Sequence, residues 1–130
     1  MKLKALSIFI VGTVFLAIPA LAHHSHGNYD TTTWTPFEGV VKELHLVSPH
    51  SFVYLEVKDD KGQPVVWLLE ATNPRGLEGK GIKREDVKPG DTVKVRCHKL
   101  KDGSNGCLLG FITPMHGDSA RGHGIEKEWD

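Results

Sequence analysis

The chain carries no excess of charge of either sign. Its 130 residues hold 16 basic and 16 acidic side chains, so no basic field exists to grip a phosphate backbone, and nucleic acid is not an expected partner. The usual catalytic signatures are missing as well: no nucleophile elbow, P-loop, dinucleotide fingerprint, HExxH or CxxC occurs. Only two cysteines are present, Cys97 and Cys107, and no lipid-anchoring cysteine follows the apolar N-terminal run. These absences leave a binding role ahead of a catalytic one.

What the chain does have begins at its first residue. Lys2 and Lys4 form a short positive region, Ala5 to Leu21 an apolar one, and Ala20-Leu21-Ala22 a small-x-small cleavage pattern, which together read as a secretory signal peptide over 1–22. An uncleaved anchor is the alternative, and the polar sequence after Ala22 argues against it. Membrane contact is then limited to export, and the expected location is the periplasm or outside the cell. Removing 22 of 130 residues leaves 108, enough for one domain and too few for two. With Lys2 and Lys4 gone, 14 basic residues face 16 acidic ones, a net charge of −2 with neutral histidines. An oxidising compartment favours pairing Cys97 with Cys107.

Residues 23–36 are polar and without period, and read as an extended N-terminal arm, pinned by Tyr29 or Trp34. Strand signals follow at Phe37–Val47, His50–Lys58, Pro64–Thr72, Thr92–Lys99 and Cys107–Thr113. Val53, Leu55 and Val57 alternate with Phe52, Tyr54 and Glu56; Val65, Trp67 and Leu69 share one face of the third strand. Asp59-Asp60-Lys61-Gly62 and Lys101 to Gly106 are hairpin turns, while Pro74 opens a short helical turn in the glycine-rich connector from Asn73 to Pro89. Five strands with a short helix between the third and fourth match an OB-like, partly open all-β barrel over 37–114; a small antiparallel sandwich competes. The glycine-containing, charged stretch 115–130 reads as a flexible tail.

Cys97 and Cys107 are symmetric about Asp102 and are expected directly opposite one another in a hairpin, close enough for a disulfide. Cleavage after Ala22 puts an α-amine and an imidazole on His23, a chelating pair for copper, with His24 and His26 beside it as auxiliary ligands. His50, in the Ser48-Pro49-His50-Ser51 corner between the first two strands, is the expected barrel ligand, its imidazole oriented by the flanking hydroxyls. The competing reading is a polar terminus that binds metal adventitiously. Tyr54, Trp67 and Glu70 offer a surface for a small ligand or partner, although Trp67 also reads as core. His98, His116 and His123 read as solvated, and His45 as covering a half-buried face.

In order along the chain, His23-His24-Ser25, Tyr29-Asp30, Gly39-x-Val41, Pro49-His50-Ser51, Trp67-x-x-Glu70, Pro89-Gly90-Asp91-x-Val93 and Asp102-Gly103 resemble an uncharacterised family of small secreted bacterial proteins, a domain of unknown function. Ser48 stands where that family usually has asparagine, and the two cysteines are outside its usual pattern. The resemblance implies secretion and a compact β domain, and draws His23, His24 and His50 together. It brings no activity with it. The expected function is therefore non-catalytic binding of copper, with a metal-free OB-like binding module as the alternative and a copper oxidase, for which no substrate surface is marked, behind both.

Overall fold

The computed structural model describes residues 26–130. Its seven named elements other than two short 3-10 turns are β1 (Thr35–His45), β2 (Ser51–Lys58), β3 (Pro64–Ala71), α1 (Pro74–Gly79), β4 (Thr92–Lys99), β5 (Gly106–Pro114) and β6 (Lys127–Glu128). The five longer strands coincide with the five expected from alternation, and the one α-helix lies between the third and fourth, as expected. Helix formation there is local: the Asn73 side chain accepts from the Gly76 amide at 2.8 Å and Pro74 opens the first turn.

The strands close into a five-stranded barrel in the order β1-β2-β3-β5-β4, because β4 returns to β1 and β3 meets β5. The closing pair is parallel and short, joining Leu68, Leu69 and Glu70 to Gly106, Cys107 and Leu108. The partly open barrel expected from the sequence is thus closed, and the sandwich is ruled out. Inside sit Val41, Val53, Leu55, Leu69, Val93, Val95, Leu109 and Ile112, from the five barrel strands, with a shift in the β4–β5 register between Arg96 and Cys97 bringing both Leu109 and Ile112 inward. No helix among the described residues is long and apolar enough to cross a membrane.

Beyond their three-residue contact β3 and β5 diverge, and the C-terminal segment fills the opening. β6 pairs with β5 through Phe111↔Glu128 and Ile112↔Lys127. Trp129 donates its amide to the Gly110 carbonyl at 2.8 Å and accepts the Thr72 amide at 2.9 Å, while its side chain is 3% exposed. The segment expected as a flexible tail is therefore a structural part of the barrel. A buried tryptophan one residue from the end makes the difference, since its apolar area outweighs the cost of ordering the glycines before it.

The cysteines form the expected disulfide, with Cα atoms 5.7 Å apart. Their register differs from the mirror arrangement. Cys97 faces Leu109 and Lys99 faces Cys107, so the bridge runs diagonally across the β4–β5 hairpin. The turn centres on Gly103, which takes φ 81°, rather than on Asp102. The bridge is consistent with an oxidising, extracytoplasmic location.

Candidate functional site

A single carboxylate, that of Glu70, gathers the groups of interest. The Asp59 side chain accepts from the amides of Lys61 and Gln63 at 2.8 and 2.9 Å, building a tight turn that sets Lys58 opposite Pro64. Counting back along that ladder puts Phe52 opposite Glu70 and Ser51 opposite Ala71. His50, one residue before β2 and after the cis Ser48–Pro49 peptide, therefore lies diagonal to Glu70. Its Nδ1 is 3.2 Å from Glu70 Oε1, with the two side chains 25% and 24% exposed.

The second carboxylate oxygen is taken by the arm. Tyr29 donates its phenol hydroxyl to Glu70 Oε2 at 2.5 Å, across 41 residues of sequence. The backbone reinforces that placement: Asp30 donates to the Lys99 carbonyl at 2.8 Å and Lys101 to the Asn28 carbonyl at 2.9 Å, laying the arm over the β4–β5 hairpin. Burial, then the hydrogen bond to Glu70 and its negative charge, push the Tyr29 phenol well above the ordinary tyrosine range, so it stays a donor. Trp34 pins the arm further along, stacking on His98 with ring centroids 3.8 Å apart and covering Gly110, where a Cβ would collide with its ring. Both anchors suggested by the sequence are in use.

The expected site residues fall into place unevenly. His23 and His24 lie outside the described residues, as does the expected signal peptide. His26 opens a 3-10 turn, and its Nε2 stands 4.0 Å from Asp130 Oδ1, so the start of the described arm runs beside the C-terminus. Among the described residues no group of three or more His, Cys, Asp or Glu could hold a metal ion. A metal centre at His50 would therefore have to draw on the residues before His26.

The hydroxyls flanking His50 do not take the role expected of both of them. The Ser51 side chain points into the barrel, where its Oγ is buried without a hydrogen-bond partner among the described residues. The Glu70 carboxylate lies beside the imidazole at 3.2 Å. The signal for it was present in the sequence, since the hairpin register places position 70 beside the start of β2.

Tyr54, Trp67 and Glu70 do not share one surface. Tyr54 and Glu70 alternate outward from the barrel, and the Tyr54 ring lies 5.0 Å from that of His45. Trp67 turns inward and packs on Phe37 with centroids 4.6 Å apart, as part of the shell around the core. A three-residue offset on a strand reverses the face, which separates Trp67 from Glu70.

Nor is His98 solvated: it is 8% exposed, covered by Trp34, and its Nδ1 lies 2.8 Å from the Thr33 carbonyl. His123 is exposed as expected, but His116 is half-buried and reaches the Asp86 carbonyl at 3.2 Å. His45 is exposed, bonds Glu43 at 2.9 Å and lies beside the half-buried Tyr54 ring.

A separate cavity of about 530 Å³ lies between the end of β1, the α1 connector and Trp129, with Leu44, Leu46, Leu77 and Ile82 among its walls. None of the expected site residues lines it.

Residues 12–109 match the profile of a family described as a family of unknown function (DUF6152). The chain belongs to that family. The match takes in the arm, His50, Glu70 and both cysteines, and stops within β5, so the barrel-closing segment with Trp129 lies beyond it. No curated protein and no solved structure matches the chain.

Proposed function

We propose that the mature protein is a non-catalytic, periplasmic copper-binding protein of storage, delivery or resistance, in which His23 supplies α-amine and imidazole and His50 supplies the opposing imidazole. His24 or His26 is an auxiliary ligand. One observation carries the reading: the N-terminal arm is fastened at Tyr29 to the same carboxylate that lies beside His50. Tyr29 is six positions after His23 in sequence, and an extended chain of that length reaches about 20 Å, enough for the new terminus to return to His50. An amine with imidazole nitrogens suits Cu(II), near the top of the divalent affinity order. Localisation rests on the leader pattern and on the disulfide, which an oxidising compartment would preserve.

The test is copper titration of protein whose mature terminus is His23, followed by electron paramagnetic resonance. Nitrogen-rich type 2 copper, lost in His50→Ala, supports the reading. A mature terminus other than His23, or an affinity indifferent to His50→Ala, removes it. The exposed Val66 and Leu68 beside Tyr54 on the outer face of β2 and β3 favour a second reading, a metal-free module for a small apolar ligand or partner. Wild-type protein with no copper affinity would bring that reading forward.

A further inference from the structure

We infer that the cavity of about 530 Å³ between the end of β1, the α1 connector and Trp129 binds a single-chain amphiphilic carboxylate, at a place separate from His50 and Glu70. Its floor is apolar. Leu44 and Leu46, on either side of the exposed His45, are half-buried and pack against the core. On the connector, the Ile82 amide donates to the Leu77 carbonyl at 3.0 Å and the Gly81 amide to the Glu78 carbonyl at 2.9 Å, with Gly81 at φ 74°. This left-handed helix end brings Leu77 and Ile82 together, and both line the cavity with Pro74 and Trp129. A volume of this size falls within the range of small-ligand sites, roughly 300 to 1,000 Å³.

The charge lies at the rim. Arg84 and Glu85 border this cavity and also an adjoining one of about 370 Å³, which shares Leu44 and Leu46 with it and reaches Lys88. The shared walls make one trough, with Arg84 where the two volumes meet. Other cations nearby already have carboxylates: Lys80 pairs with Glu128, Lys127 with Asp86 and Arg121 with Asp91. Among the described residues no ion pair takes up Lys83, Arg84 or Lys88, and none takes up Glu78 or Glu85. Three cations thus stand against two carboxylates around the trough, and the excess favours an anionic head group. A guanidinium meets a carboxylate with two parallel hydrogen bonds, which makes Arg84 its partner, while the apolar floor takes the hydrocarbon chain.

Dodecanoate, added to the mature protein below its micelle concentration, is the probe. It should bind at one per chain and shift the NMR signals of the Trp129 indole N–H and of the Leu44, Leu77 and Ile82 methyl groups, leaving Val66 and Leu68 on the outer face unmoved. Arg84→Gln, a change at an exposed position, should weaken binding about 3- to 10-fold, with backbone spectra showing the fold retained. Glu85→Gln removes a like charge and should leave binding as tight or tighter. Dodecyltrimethylammonium, with the same chain and the opposite charge, should bind more weakly than dodecanoate. No binding of dodecanoate, equal affinity for the two amphiphiles, or an affinity indifferent to Arg84→Gln overturns the inference. Signal shifts confined to the outer face of β2 and β3 overturn it too.

Discussion

Thr72 donates its amide to the carbonyl of Trp129 at 2.9 Å, joining the end of β3 to a residue one position from the chain's end. Because Trp129 also donates to Gly110, it spans the gap that the short β3–β5 ladder leaves open. Trp129→Ala should therefore destabilise the domain by about 3 to 5 kcal/mol, the usual cost of emptying a buried tryptophan site. Urea denaturation followed by circular dichroism checks it; a loss under about 1 kcal/mol would mean that the segment is only appended to the barrel.

The Cys97–Cys107 bridge encloses a loop with a sequence separation of 10. In the chain-entropy account its removal by a double Cys→Ser substitution costs about 2 to 3 kcal/mol. Alkylation without reductant, followed by mass spectrometry, should find no free thiol in protein recovered from an oxidising compartment.

Gly39 permits a close approach of β1 to β2, since a Cβ there would strike the Glu56 carbonyl oxygen and stand 3.1 Å from its carbonyl carbon. Backbone atoms within a ladder cannot step aside cheaply. Gly39→Ala should cost about 1 to 3 kcal/mol, read as a lower denaturation midpoint with an unchanged slope.

The contact between Tyr29 and Glu70 sets an alkaline limit. The folded phenol ionises above its ordinary value of about 10, so the stability it contributes is complete below that pH and is lost as pH rises beyond it. Absorbance titration should show one of the two tyrosines ionising late, and Tyr29→Phe should remove that late step.

On the copper reading proposed above, acid should release the metal for a different reason. Imidazoles, with reference values of about 6.5, and an α-amine, about 7.7 to 8.0, must lose protons before they coordinate, so apparent affinity should fall as pH drops from 7 towards 5. Retaining one residue ahead of His23 should weaken binding far more than His123→Ala. Equal effects, measured by titration calorimetry, would point to scattered surface histidines.

The strands, the turns and the single helix were legible because alternation, Asp-Gly and Asn-Pro signals are local. The inward side of each strand could be read in the same way, Trp67 included. The flexible-tail reading failed because glycines and charges dominate 115–130, and the one residue that matters there, Trp129, is apolar without neighbours to form a pattern. His98 was misjudged for a related reason: its cover, Trp34, comes from 64 positions earlier in the chain.

By itself the sequence determined a leader-like start, a β domain, two cysteines within pairing distance and a histidine at the corner before β2, since each depends on residues near one another in the chain. Only the tertiary structure decided that the barrel closes, that the disulfide runs diagonally and that Glu70 joins Tyr29 to His50. Those outcomes depend on strand register and on contacts between distant segments. A shift of a single residue in register would turn Glu70 to the other face of the sheet, and no local pattern records which register wins.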